Sequence, residues 1–179
     1  MNLWYTPFIK ICLEKLDMII LEKYTERDFE LYSELVFNEQ VMNMNMGRVF
    51  TKEEADFFFK AILELNVNSS CMGYYKVLYD MKGTRVYLGM GGISFNDEYS
   101  TAEVEYMILP QYWNQGYGKQ LLSELLHRCQ QSGYSKAVAI TDPENTYSRR
   151  LLTGASFSID KEYINDDGEP AIVYIKEMS

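Results

Sequence analysis

The chain has few of the groups on which metal, disulfide or covalent chemistry depends. Its 179 residues include one histidine, His127, which excludes mechanisms needing a histidine pair, most catalytic zinc sites among them. Cysteine is scarce too. Cys12, Cys71 and Cys129 are isolated and without ligand spacing, so neither a disulfide framework nor a metal site is expected. Free thiols in a reducing cytoplasm are the expectation, and no cysteine sits where a covalent nucleophile would be needed. No apolar run reaches the roughly 18 residues of a bilayer span. Residues 1–10 lack the basic and uninterrupted apolar regions of a signal peptide, so neither export nor a membrane partner is expected. Positive charge is in deficit: 17 Lys and Arg against 26 Asp and Glu give a formal net charge of −9. Such a surface repels nucleic-acid phosphates and suits a cationic partner such as an amine.

What is present is core. Hydrophobic residues make up 47% of the chain and aromatics 15%, enough for one α/β domain with a sizeable interior. Trp4, Phe8, Cys12 and Leu16 recur at i, i+4, so residues 1–17 read as an amphipathic arm, docked on the domain or serving a homodimer contact. The domain proper is expected over 18–179. Residues 19–24 read as a strand, and Thr25-Glu26-Arg27-Asp28 as a capping box opening a helix to about Phe37. Residues 38–49, polar and Met-rich, read as a loop. Thr51-Lys52-Glu53-Glu54 opens a second helix to about Leu65, with Phe58, Ile62 and Leu65 on one face, and 66–70 is a turn. Strands follow at 72–79 and 85–95, then at 102–109, ended by Pro110. A helix over 118–131, a strand over 136–141, a short helix over 145–153 and a hairpin of 157–163 with 171–177 complete the order. It predicts an α/β fold with a single mixed, mostly antiparallel sheet flanked by helices, and no internal repeat or linker.

The chemically informative stretch is Pro110-Gln111-Tyr112-Trp113-Asn114-Gln115-Gly116-Tyr117-Gly118-Lys119, where a strand gives way to a glycine-bearing loop and a helix. The first turn of a helix offers unpaired N–H groups and partial positive charge to a phosphate. Two phosphate loops can be excluded. The nucleoside-triphosphate loop needs Gly-x4-Gly-Lys-Ser/Thr, and Gly116 lacks those partners. The dinucleotide fingerprint needs a third glycine where Leu121 stands.

Gly116 and Gly118, six and eight residues beyond Pro110, resemble the CoA pyrophosphate loop, Gln/Arg-x-x-Gly-x-Gly/Ala, of the GNAT superfamily of N-acetyltransferases. Asn145 to Phe157 is similar to the family's Asn-x-x-Ser…Leu-x-x-x-Gly-Phe segment, and Tyr112-Trp113 to the branch that acetylates ribosomal-protein N-termini. The likeness covers about residues 18–178. It departs at Trp113, in the Gln/Arg position, at Ser156, in place of a glycine, and at Leu152, where many relatives carry a tyrosine general acid.

The resemblance implies acetyl-CoA as co-substrate, no metal, and direct acetyl transfer to a primary amine, either a peptide N-terminus or a small amine. The rival is a non-catalytic CoA-binding sensor or assembly module. Cofactor contacts are implied at Met107, Ile108, Asn114, Gln115, Gly116, Tyr117, Gly118, Lys119, Asn145 and Ser148. Glu103 aligns with the base of the histone-acetylating relatives, and Glu105 is the runner-up. Strand alternation puts both carboxylates on one face with Met107, while Val104, Tyr106 and Ile108 face the other. Neighbouring carboxylates raise one another's pKa, although a pair of solvated strand glutamates would look the same. Ser148 is placed near the CoA sulfur in the related branch, as acid or hydrogen-bond donor, with Tyr147 as alternative. Asn145 reads as an N-cap that also meets the pantetheine arm. A backbone N–H near Met107, exposed where family strands bulge, would serve the oxyanion. Met42, Met44, Met46 and Phe57–Phe59 are expected to fill core or line a cleft, His127 to be an ordinary surface or packing residue, and Arg149 and Arg150 to be solvated helix arginines, the alternative for them being reach to the CoA 3′-phosphate.

Overall fold

The computed structural model describes residues 18–81, 83–166 and 168–178; the expected N-terminal helix lies outside them. Strand β1 (Ile19–Lys23) leads through a single 3-10 turn into helices α1 (Phe29–Val36), α2 (Glu39–Asn43) and α3 (Lys52–Asn68). Then come β2 (Gly73–Met81), β3 (Thr84–Asn96), β4 (Thr101–Ile108), α4 (Tyr117–Gln131), β5 (Lys136–Thr141), α5 (Thr146–Gly154), β6 (Ser158–Ile164) and β7 (Pro170–Glu177). The strands form one sheet in the order β1-β2-β3-β4-β5-β7-β6. Every neighbouring pair is antiparallel except β4 and β5, which α4 connects in parallel. The mixed, mostly antiparallel sheet of the sequence reading is therefore the fold.

Both faces of the sheet are covered. On one, Leu121, Leu122, Leu125 and Cys129 of α4 pack on Val77, Leu88, Ile93 and Val104. On the other, Tyr32 and Leu35 of α1, Met42 of α2 and Phe59 and Ile62 of α3 pack on Met90 and Leu109. Cys129 is fully buried and burial pushes its thiol up to about 12, so it is a packing residue. His127 is exposed on α4. No helix among the described residues is long and apolar enough to cross a membrane.

Local chemistry explains the helix ends. Asp28 accepts from the Thr25 backbone N–H at 2.8 Å and its hydroxyl at 2.7 Å, and from Lys76 Nζ at 2.9 Å. Burial opposes ionisation of Asp28, but the Lys76 and Thr25 bonds outweigh it and hold the carboxyl below its ordinary range. Thr51 and Glu54 form the second capping box.

Three expectations are corrected. Residues 38–49 are not all loop, because the Asn38 side chain caps α2 by accepting from the Val41 N–H at 3.2 Å, and Val41 and Met42 are buried. The core stripe of α3 is Ala55, Phe59 and Ile62, while Phe58 is 42% exposed. That helix also continues past Leu65 to Asn68. Asn66 anchors the extension: its amide donates to the Tyr24 and Tyr74 carbonyls at 3.2 and 3.0 Å and accepts from the Tyr74 N–H at 2.8 Å. Gly73, at φ +136°, permits this approach, since a Cβ there would lie 2.2 Å from Asn66 Oδ1. Lys23 Nζ completes the tie by donating to the carbonyls of Asn66, Ser69 and Met72.

The feature that makes the site is the incomplete pairing of β4 with β5. Only Ala102 with Ala137 and Glu103 with Val138 are in register, although β4 continues to Ile108 and β5 to Thr141. Beyond Glu103 that edge of β4 has no ladder partner.

Candidate active site

Two cavities adjoin where β4 and β5 part. One, of about 540 Å³, lies between the sheet and helices α1–α3. The other, of about 200 Å³, runs from the end of β4 to the start of α4 beside α5. Met44, Asn45, Tyr106, Met107, Asn145 and Ser148 line both, so the cavities share a seam.

The smaller cavity is built on the loop before α4. Trp113 Nε1 donates to the Ile108 carbonyl at 2.6 Å and pins the loop to the last residue of β4. Asn114, at φ +59°, and Gly116, at φ +85°, both adopt the left-handed conformation, one that asparagine tolerates and glycine favours. Gly116 caps α4 without a side chain, and the first bond inside the helix runs from the Gln120 N–H to the Gly116 carbonyl at 3.2 Å. The N–H groups of Tyr117, Gly118 and Lys119 thus have no partner within the helix. A Cβ on Gly116 would meet nothing within 4 Å, whereas one on Gly118 would lie 3.3 Å from Leu151 Cδ2. Gly116 therefore borders open space, and Gly118 instead lets α4 and α5 approach. Ile108, Asn114, Gly116, Tyr117 and Gly118 line this cavity; the side chains of Gln115 and Lys119 are exposed and do not.

Helix α5 supplies the other wall. The Asn145 side chain caps it by accepting from the Ser148 N–H at 3.0 Å, and donates across the seam to the Met44 carbonyl at 3.1 Å. Ser148 Oγ lies 2.9 Å from Tyr106 Oη. Burial pushes the Tyr106 phenol up to about 12, with the Ser148 bond opposing. Tyr147 is 47% exposed and its ring faces Trp113 at 6.0 Å between centroids. Leu152 is fully buried in the core. Ser156 takes φ +65°, so the turn before Phe157 keeps its left-handed residue without glycine. Arg149 donates to the Pro143 carbonyl at 3.0 Å, and Arg150 is exposed.

The larger cavity has a polar floor. Glu105 accepts from Tyr74 Oη at 2.8 Å and from Ser94 Oγ at 3.3 Å. Burial raises the Glu105 carboxyl above its ordinary range and the Glu103 charge adds to the rise, against the opposing hydrogen bonds. Burial and the Glu105 carboxylate likewise raise the Tyr74 phenol, which keeps it a donor. Glu103 Oε2 accepts from Asn96 Nδ2 at 2.7 Å. Tyr74, Gly92 and Glu105 stand in cross-strand register on β2, β3 and β4. A Cβ on Gly92 would lie 2.6 Å from Tyr74 Cε1, so the glycine is the lane along which the tyrosine ring reaches the carboxylate.

The alternation expected for β4 holds: Met107 packs with the α1–α3 cluster, and Val104, Tyr106 and Ile108 with the α4 cluster. The bulge expected near Met107 is absent, because β4 stays in register with β3 from Thr101 to Ile108. The irregularity lies one strand away, where β3 shifts against β2. The Leu109 N–H donates to the Leu88 carbonyl at 2.8 Å, so alternation aims the Met107 N–H at β3 and those of Tyr106 and Ile108 at the gap. Tyr74, Gly92, Tyr106 and Asn96 were not singled out as site residues by the sequence reading. Their roles depend on strand register and on the parting of β4 from β5, and no local motif marks either.

A profile of the GNAT acetyltransferase domain matches residues 18–158. No curated protein sequence matches significantly. Among solved structures, a GNAT-family acetyltransferase from Bacillus anthracis superposes with a TM-score of 0.74 at 18% identity, over 90% of this chain and 95% of that one. A spermidine N-acetyltransferase from Vibrio cholerae, solved with CoA and spermine, gives 0.73 at 14% identity, over 90% and 96%. A ribosomal-protein α-N-acetyltransferase solved with coenzyme A gives 0.70 at 15% identity, over 90% and 94%. At these identities the likeness speaks for the fold, and the profile, spanning most of the chain, establishes the family: this protein belongs to the GNAT acetyltransferases.

Proposed function

We propose that the protein transfers an acetyl group from acetyl-CoA to a primary amine within a ternary complex. The observation that carries this reading is the seam, where a cavity leading to free helix N–H groups meets one floored by carboxylates. The N–H groups at the start of α4, with open space at Gly116, suit the diphosphate of the coenzyme. CoA complexes among the structural neighbours support the same substrate.

Glu105 is the base in this reading. It lies one pleat nearer the seam than Glu103, and its raised affinity for a proton suits removal of one from an ammonium group. Glu103, tied to Asn96, adds negative charge that draws the cation in. The freed amine attacks the thioester carbonyl. The Tyr106 and Ile108 N–H groups on the open edge of β4 are the candidate donors to the oxyanion. The carbon–sulfur bond then breaks, the extra proton left on the attacking nitrogen passes to the departing sulfur, and the CoA thiol leaves against Ser148, whose hydroxyl Tyr106 orients. Tyr106, held up near 12, serves as a hydrogen-bond donor in this scheme rather than a proton donor. Asn145 borders the coenzyme arm, and Tyr147 stays at the mouth. The free thiols Cys71 and Cys129 fit a cytoplasmic setting.

The test is thiol release from acetyl-CoA across a panel of primary amines. Release must depend on the amine, and Glu105→Gln must lower kcat/KM by about 10²–10⁴-fold. Coenzyme binding without release, whichever amine is offered, would favour the non-catalytic module.

A further inference from the structure

The lining of the larger cavity goes beyond the transfer reading on which it rests. Its carboxylates are gathered on the sheet side, where Glu103, Glu105 and Asp142 line it, and no Lys or Arg is among the described lining residues. Its helical side is mostly apolar: Val36, Met42, Phe50, Phe58, Ile62 and Leu65 face the same space, Tyr32 and Asn45 bring neutral polar groups, and no carboxylate is among the lining residues of α1–α3. Two of the apolar groups at its mouth stand in solvent, Phe58 at 42% and Met46 at 57% exposure, and Phe50 stacks on Phe58 at 5.0 Å. Exposed apolar side chains lining a cavity are covered when a ligand of matching chemistry enters. The volume, about 540 Å³, is far larger than an amine headgroup needs.

We infer that the acceptor is a singly charged primary amine carrying a large apolar body. Its ammonium group faces the Glu103 and Glu105 side of the floor and its body lies against the methionine- and phenylalanine-lined roof. A polyamine fits poorly, because its further ammonium groups would be driven against that roof without carboxylate partners. A short polar N-terminus, such as one beginning with serine, would leave the roof uncovered. Methionines add tolerance, since their unbranched side chains repack around bodies of different shape. Two sources share this chemistry: a peptide beginning with a large apolar residue, and a free alkyl- or arylalkylamine.

The test measures acetyl-CoA thiol release by the full chain with linear alkylamines from ethylamine to octylamine, phenethylamine, spermidine, and tetrapeptide amides beginning with Leu, Phe, Ser or Asp. The expected result is a rise in kcat/KM of about fourfold per added methylene until the roof is filled. Leu and Phe peptides should exceed Ser and Asp peptides at least tenfold, and spermidine should fall below octylamine. The ratio of Leu-peptide to octylamine rates tells the two sources apart. Phe58→Ser, at a half-exposed position, should reduce the octylamine-to-ethylamine ratio about tenfold. Release that favours spermidine or Ser peptides, or that ignores chain length, overturns this inference and leaves acetyl transfer standing. No release with any amine overturns both.

Discussion

Gly92→Ala places one methyl group in the lane between Tyr74 and Glu105 and so tests how the carboxylate is held. The added Cβ would sit 2.6 Å from Tyr74 Cε1 and 2.8 Å from Cδ1, where carbon atoms normally keep about 3.5–4.0 Å. The ring must withdraw by about 1 Å. The Tyr74–Glu105 hydrogen bond, 2.8 Å in the protein, is then stretched beyond about 3.5 Å and lost. The lost bond and the residual strain of overpacking together destabilise the protein by about 2–3 kcal/mol. Loss of the Tyr74 donor also removes a contact that lowers the Glu105 pKa, so the carboxyl rises further above its ordinary range. The acid limb of a kcat/KM–pH profile, read by thiol release, must therefore move to higher pH. Tyr74→Phe, which removes the hydroxyl without a clash, must move it the same way. In the Tyr74→Phe background Gly92→Ala must add destabilisation but no further movement. A Gly92→Ala protein of unchanged stability, or one whose acid limb stays in place while that of Tyr74→Phe moves, would refute this account of the row.

Other outcomes follow from the same physics. The folded-state pKa of Glu105 is raised, so stability is lost as pH climbs from the ordinary carboxylate range to the raised value; Glu105→Gln must be more stable than wild type at neutral pH in urea titrations, the gap closing in acid. Asp28 is the opposite case, its depressed pKa contributing stability above the unfolded value that is lost as pH falls through the folded one; Asp28→Asn should cost about 1.5–3 kcal/mol at neutral pH and little in acid. Tyr106→Phe should lower kcat about tenfold with KM little changed, and add little to Ser148→Ala, because the two hydroxyls act through one contact. Ser156→Gly relieves a left-handed serine and should raise stability by about 0.5–1 kcal/mol in thermal or denaturant unfolding.

Much of the fold was legible where the signal is local. The boxes at Thr25 and Thr51 mark helix starts because the bonds that make them lie within three residues. Alternation along β4 put Glu103, Glu105 and Met107 on one face because a strand has a period of two. Helix α2 escaped because it spans little more than one turn and its partners, in α1 and α3, lie elsewhere in the sequence. The continuation of α3 depends on Asn66 bonding backbone on β1 and β2, and its core face on Phe59 meeting Tyr32. Of the candidate site, the lining of the smaller cavity was legible at the Gly116 loop and at Asn145, where local motifs mark a helix start. The site was not legible at Tyr74 and Tyr106, since the first reaches Glu105 across two strands and the second reaches Ser148 only because β4 and β5 part company.

The central claim is that the bare amides opening α4 grip the diphosphate of acetyl-CoA and bring its thioester to the seam. Titration calorimetry of the full chain with acetyl-CoA, against S-acetylpantetheine, which lacks the diphosphate, tests it directly. The account predicts saturable one-to-one binding of acetyl-CoA, at least tenfold tighter than the truncated thioester. Absence of binding, or equal affinity for the two, would contradict it.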